Sequence, residues 1–399
     1  MNILVISPGF LPTIGGAEIG VHEIYSRLGK RHKVTILTQT LKKQAISLGF
    51  DQTYYTVLRY RDILNFGRIG GRMLLRGILP PFSLGALMAT VHLLRRIKPD
   101  VVNVHYAIYT GLAAIWTQKA AHIPTVLSLI GRDSAPGPQV PALWPRYARW
   151  IGSQVSFTIF ISRFCQSYHK TAGYPNTIIP YGVNTRQFQL DPQDNSLREQ
   201  LSLKPETQIL FTLQRMHSIK RIDLALRAVK LLLDLGTNNF VLLIGGDGPE
   251  MEKLSNLATD LHIQENIRWL GFIPENELPR YFALSDIFVF TSAYETFGIV
   301  LAQALAAGVP IAAIHNSAIP EIVDDGVNGL LAPEGDLPAF VANLHYLLDN
   351  RALRKQMGQE GRKRAEAEFD WDKIANRYET VLQAFANGRT YGENPAALH

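Results

Sequence analysis

Residues 291–321, T-S-A-Y-E-T-F-G-I-V-L-A-Q-A-L-A-A-G-V-P-I-A-A-I-H-N-S-A-I-P-E, bring a carboxylate, a helix start and a side-chain amide together. Residues 286–290 (D-I-F-V-F) read as a strand. Phe297-Gly298-Ile299 open a helix, Gly308 stops it, and 309–314 form a second apolar strand, which makes half of a parallel βαβ unit. The amides of Gly298, Ile299 and Val300 come free at the helix start, where the helix dipole favours an anion such as phosphate. Glu295 stands in the loop just ahead of them. Gln303, about one turn further on, can approach the same ligand from a second side. A glutamate ahead of a helix also serves as a solvated cap, so spacing alone leaves both uses open.

Other stretches carry candidates of the same kind. In Q-R-M-H-S-I-K-R-I-D (214–223), Arg215 and Lys220 follow the apolar strand 208–213, and two cations there can neutralise a departing diphosphate. A basic pair in a loop can equally be solvated. After the strand at 3–7, P-G-F-L-P-T-I-G-G ends in Gly15-Gly16, which lets backbone amides come close to a ligand or simply makes a turn. His105 ends the strand built on P-D-V-V-N-V-H, where a core histidine bonded to backbone is the alternative. Gly131-Arg132-Asp133 follow the strand at 125–129, and Gly271-Phe272-Ile273-Pro274 the strand at 266–270.

The central stretch resembles the E-x7-E signature of the retaining glycosyltransferases of family 4, and the likeness continues through A-x-A-A-G-V-P (304–310) and P-E-I-V-D-D-G-V-N-G-L-L (320–331). That resemblance implies the GT-B fold: two doubly wound Rossmann-like α/β domains facing an interdomain cleft, with a C-terminal helix crossing back to the first. It implies a nucleoside diphosphate sugar as donor, same-face attack with retention, and no metal or other cofactor. By the same resemblance Glu295 orients the donor sugar, Arg215 and Lys220 reach the diphosphate, and Gly15-Gly16 lie over the donor phosphates. Gly271 and Phe272 back the nucleobase, His105 faces the donor sugar, and the Arg132-Asp133 loop holds the acceptor. Three positions depart from the pattern. Gln303 stands for the second signature glutamate, which accepts from the ribose and whose amide replacement still accepts without charge. Ile130 stands where a histidine is common, and Gln214 where a glycine is. Asp370-Trp371-Asp372 form the D-x-D that binds metal in the other major glycosyltransferase fold. Here it opens a helix over 373–386, and no second acidic cluster accompanies it.

The elements that must position these residues alternate strand and helix on both sides of a polar, proline-containing run at 185–205, and 399 residues suffice for two cores. The expected domains are 1–185 with 372–399, and 186–371. A chain 47% hydrophobic and 19% charged is globular, and a net charge of +6 fits an anionic ligand without pointing to nucleic acid. The single cysteine, Cys165, excludes an internal disulfide. The start M-N-I-L-V-I-S reads as a buried strand rather than a secretion signal, so the cytoplasm is expected, at the inner face of the membrane if the acceptor lies there. The stretch 59–76 sets Arg59, Arg61, Arg68, Arg72 and Arg76 among apolar residues at near-helical spacing. It suits peripheral contact with an anionic membrane or a surface helix packed on its own domain, and Gly67, Gly70 and Gly71 oppose a long rigid helix. The function expected is transfer of a sugar to a hydroxyl of a glycan, lipid-linked or small-molecule acceptor. The alternatives are a sugar-nucleotide epimerase of the same architecture and a non-catalytic nucleotide-sugar-binding protein.

Overall fold

The structure, a computed structural model, describes residues 1–12, 15–40, 54–61, 65–66, 82–131, 133–135, 137, 140–141, 143–169, 173–188 and 196–388. The chain divides into two compact units, Met1–Tyr181 with Trp371–His399, and Gly182–Asp370.

Unit 1 is built on β1 (Asn2–Ser7), β2 (Lys33–Gln39), β3 (Thr56–Tyr60), β6 (Val101–His105), β7 (Thr125–Leu129), β8 (Phe157–Phe160) and β9 (Asn176–Ile178). They form one parallel sheet in the order β3-β2-β1-β6-β7-β8-β9, and the short strands β4 (Asn65–Phe66) and β5 (Phe82–Ser83) pair separately as an antiparallel ribbon. Continuous apolar runs such as N-I-L-V-I-S and V-V-N-V-H are what a parallel sheet covered on both faces demands, and Ile3 to Ile6 and Val101 to Val104 are fully buried. Around the sheet lie α1 (Gly16–Gly29), α2 (Leu84–Ile97), α3 (Gly111–Lys119), α4 (Leu143–Gly152) and α5 (Arg163–Ser167). Two start on serine caps: Ser83 Oγ accepts from the Ala86 amide at 2.9 Å, and Ser162 Oγ from that of Cys165 at 3.2 Å. The ladder between β3 and β2 runs from Thr56 to Tyr60, with Gln39 paired to Tyr60, whose side chain is buried. After Asp370 the chain rejoins unit 1 as α13 (Trp371–Ala386), whose Asp372 and Glu379 pair with Arg27, Arg31 and His32, each at 2.6 Å.

Unit 2 holds α6 (Ser196–Gln200), β10 (Gln208–Leu213), α7 (Ile222–Asp234), β11 (Phe240–Gly245), α8 (Met251–Asp260), β12 (Ile267–Gly271), α9 (Leu278–Leu284), β13 (Ile287–Phe290), α10 (Ile299–Ala306), β14 (Ile311–His315), β15 (Gly329–Pro333), α11 (Leu337–Asp349) and α12 (Arg351–Glu368). Its strands are all parallel, ordered β12-β11-β10-β13-β14-β15. Helix α9, expected from about 275, starts at Leu278 because Pro279 occupies the first turn, where a missing N–H costs no hydrogen bond. The sequence stretch 62–64 and 67–81, with Arg68, Arg72 and Arg76, lies outside the described residues, as does Arg132. Among the described residues no helix is long and apolar enough to cross a membrane.

Candidate active site

In each sheet the strand order reverses once, between β1 and β6 in unit 1 and between β10 and β13 in unit 2. The loops leaving the carboxyl ends of such a pair part to opposite faces, and the gap between them is where open α/β sheets hold ligands. Gly15 and Gly16, His105, Arg215 and Lys220, and Glu295 stand at or after the ends of these four strands, whereas Asp133 follows β7 and Gly271 and Phe272 stand at the end of β12.

In unit 2 the loop after β10 supplies Arg215 and Lys220, and the loop after β13 supplies Glu295. The two loops are tied through backbone: the Ala293 amide donates to the Ile219 carbonyl at 2.8 Å, and Thr291 Oγ1 to that of Lys220 at 3.1 Å. Lys220 Nζ and Glu295 Oε1 form an ion pair, with both side chains largely buried. Behind Glu295 stands a second layer. Its amide donates to Ser317 Oγ at 2.8 Å, Ser317 Oγ to Asn316 Oδ1 at 2.8 Å, and Asn316 Nδ2 to the Ser292 carbonyl at 3.0 Å. Sequence reasoning did not single out Asn316 and Ser317; their signal was H-N-S, small polar residues at the end of the next strand.

Helix α10 begins at once after this pair. Gly298 precedes it with φ 98° and ψ 71°, a left-handed conformation suited to glycine, and among the described residues no side chain caps the first turn. Gly298, Ile299 and Val300 are half-buried, so the amides at the helix start stand beside the Lys220–Glu295 pair along the chain. Arg215 is exposed and forms no ion pair among the described residues. Its loop is seated on the one after β11: Gln214 N–H donates to Gly245 O at 3.1 Å and Met216 N–H to Asp247 O at 2.9 Å. The contact is so close that a Cβ at Gly246 would stand 2.0 Å from the Gln214 carbonyl oxygen. The Gln214 side chain is buried, with Nε2 on Thr212 Oγ1 at 3.0 Å. Gly271 O accepts from the Gly246 amide at 2.7 Å, which ties the end of β12 to the same assembly and leaves Phe272 beside it 60% exposed.

Gln303 has a partner that spacing did not reveal. It is buried, and its Nε2 donates to Glu275 Oε1 at 3.0 Å, while its Oε1 is buried without a hydrogen-bond partner among the described residues. The amide at 303 therefore engages a carboxylate from the loop after β12.

In unit 1, Gly15 is the extended residue ahead of α1, with Gly16 the first helical one. Glu18, not singled out in the sequence, folds back over this loop: Cβ atoms at Gly9 and Gly15 would come within 2.7 and 2.5 Å of its carboxylate oxygens. Burial raises the Glu18 pKa. His105 ends β6 as expected but points into the interior. It is fully buried, edge-on to Tyr25 at 5.8 Å, with neither ring nitrogen hydrogen-bonded among the described residues, and burial lowers its pKa to about 3. The backbone bond of an ordinary core histidine is absent among the described residues. Asp133 is buried too. Its Oδ2 accepts from the amides of Ala107 at 2.6 Å and Ile108 at 3.4 Å, so it binds the loop after β7 to the loop after β6. Burial raises its pKa to about 6 against the lowering effect of those amides.

The D-x-D aspartates are engaged separately: Asp370 Oδ2 accepts from Thr185 Oγ1 at 2.6 Å, and Asp372 pairs with Arg27. Among the described residues no group of three or more His, Cys, Asp or Glu is placed to hold a metal ion.

Comparison with known proteins adds to this geometry. Residues 14–187 match the model of Glycosyltransferase Family 4, and residues 193–364 that of Glycosyl transferases group 1. The N-acetyl-alpha-D-glucosaminyl L-malate synthase of Bacillus anthracis is 24% identical over 93% of this chain and 94% of its own. The alpha-monoglucosyldiacylglycerol synthase of Acholeplasma laidlawii is 25% identical over 83% and 84%. Among solved structures, Anabaena HepE in complex with UDP superposes with a TM-score of 0.79 at 20% identity, covering 96% of this chain and all of that one.

Proposed function

The chain belongs to glycosyltransferase family 4 and is a glycosyltransferase that uses a nucleotide sugar, and from that premise we propose a retaining, metal-independent transfer to a hydroxyl acceptor in glycan or glycolipid synthesis. The observation that carries this reading is the Lys220–Glu295 pair, held from both sides at the start of α10. In the proposed reaction Lys220, Arg215 and the amides at Gly298, Ile299 and Val300 neutralise the diphosphate as the bond from the sugar's C1 to the phosphate oxygen breaks. The electron pair leaves with that oxygen. Glu295, oriented by Lys220 and by its own amide on Ser317, binds the sugar hydroxyls. The acceptor oxygen attacks C1 on the face the diphosphate leaves, and its proton passes to the departing phosphate oxygen. Phe272 offers an exposed apolar face for the nucleobase.

The buried, neutral His105 has no step in this scheme, and Asp133 positions loops. The relative from Acholeplasma is named for a glycolipid product, which supports a lipid acceptor. Slow hydrolysis of an α-linked donor without acceptor tests the stereochemistry: the sugar first released, read by proton NMR, is expected as the α anomer and in EDTA. A β anomer, or activity only with added metal, would overturn the proposal. In the same assay Lys220→Ala and Glu295→Ala are expected to lower turnover by about 100-fold or more.

A further inference from the structure

Unit 1 carries a cluster of polar side chains at its strand ends that no step of the scheme above uses. It is built on Tyr106, the residue after β6, and Glu18, in the first turn of α1, each half-buried. Tyr106 has φ 67°, a left-handed conformation that a residue with a side chain adopts only at a cost. Its backbone is held there from both sides: its amide donates to the Ser128 carbonyl at 3.0 Å, and its carbonyl accepts from Thr110 Oγ1 at 2.7 Å. The ring lies against the loop after β7, where a Cβ on Gly131 would stand 2.2 Å from Tyr106 Cε1.

Glu18 is seated as firmly. Buried Tyr181 fills the notch that Gly20 leaves in α1, where a Cβ would be 2.3 Å from the Tyr181 Cζ, and its hydroxyl donates to the Ala17 carbonyl at 3.4 Å. The turn so held lays one Glu18 carboxylate oxygen on Gly9 and the other on Gly15. The charges that reach the Tyr106 phenol are negative: burial, then the carboxylates of Glu18 and Asp133, raise its pKa. Asp133 is already engaged by the amides of Ala107 and Ile108, which leaves Glu18 as the carboxylate of the cluster that can turn to a ligand. Arg59, the cation that reaches the Gly9–Gly15 loop, donates to the carbonyls of Leu11 and Gln39.

We propose that Glu18 and Tyr106 form a subsite in unit 1 for an uncharged, hydroxyl-rich ligand, a sugar or polyol. The cluster stands where the strand order reverses between β1 and β6, the place where an open α/β sheet receives ligands. Charge decides what it receives. A glycine loop ahead of a helix ordinarily takes phosphate, but a carboxylate lying on both of these glycines repels it. The same carboxylate accepts from two neighbouring hydroxyls, while the tyrosine ring covers a C–H face and its hydroxyl meets a third oxygen. To call that ligand the acceptor of the transfer rests on the function proposed above; the subsite itself does not.

The test is saturation-transfer-difference NMR on the full chain with methyl α-D-glucopyranoside, myo-inositol and glycerol, each titrated to about 100 mM. Nucleotide-induced thermal stabilisation is measured on the same samples. At least one polyol should bind, with a Kd of about 10 mM. Glu18→Gln should weaken it about tenfold and Tyr106→Phe about fivefold, the losses expected for a charged and a neutral hydrogen bond to the ligand. Both variants should keep the wild-type nucleotide stabilisation, which also shows them folded, and Glu295→Ala, in unit 2, should leave polyol binding unchanged. No binding of any of the three, binding indifferent to both unit 1 variants, binding lost in Glu295→Ala, or displacement of the polyol by about 10 mM inorganic phosphate would each overturn the proposal. Polyol binding that depends on Glu18 and Tyr106 in a chain that no nucleotide stabilises would leave the subsite standing and remove the donor scheme instead.

Discussion

At the scale of single residues, the departure at 303 has a structural consequence. Gln303 donates to Glu275 at 3.0 Å from a buried position, so a glutamate there would set two carboxylates against each other. Like charges at that distance cannot both ionise cheaply. Gln303→Glu is therefore expected to destabilise the chain by about 1–3 kcal/mol at pH 8 relative to pH 5, followed by thermal melting. Adding Glu275→Gln should restore the loss by reversing the donor and acceptor; a Gln303→Glu chain with unaltered pH dependence would show that the two side chains do not meet. Asp133 gives the complementary case. Burial raises its folded pKa from 3.8 to about 6, so the folded chain binds a proton that the unfolded chain has released. Its stabilising contribution is complete below about pH 4 and is lost as pH rises through about 6. Asp133→Asn, which keeps an oxygen for the Ala107 and Ile108 amides, should flatten that slope, worth up to about 3 kcal/mol. Identical stability profiles for variant and wild type between pH 4 and 7 would contradict this.

At the scale of elements, the site depends on loops that touch backbone to backbone. Gly246 has φ 112° and lies against the Gln214 carbonyl, so Gly246→Ala must push the loop bearing Arg215 and Lys220 away from β11. The expected result is a rise in donor KM of about tenfold with a loss of about 1–3 kcal/mol in stability; a variant unchanged in both would mean that the β11 loop does not seat the cations. Most of these elements were legible beforehand. The apolar runs at 125–129 and 208–213 become strands with those bounds, because hydrophobic pattern is local. Partnership is not local. That Gln303 would meet Glu275 and that Ser317 would hold the Glu295 amide depend on which strand ends the sheet order brings together. His105 shows the same limit: its place at a strand end could be read, but the direction of its ring could not.

At the scale of the whole molecule, two parallel sheets each place candidate residues at the point where their strand order reverses, and unit 2 gathers the cations, the carboxylate and the helix start that a nucleoside diphosphate sugar requires. The most direct test is a thermal-shift titration of the full chain with UDP, GDP and ADP in EDTA, alongside the Arg215→Ala/Lys220→Ala chain. One nucleotide should stabilise the wild type increasingly with concentration, by about 3 kcal/mol at 100 times its Kd, and the double variant should lose that response while melting as a folded protein. Stabilisation by none of the three, or an equal response in the double variant, would contradict the assignment of donor binding to these residues.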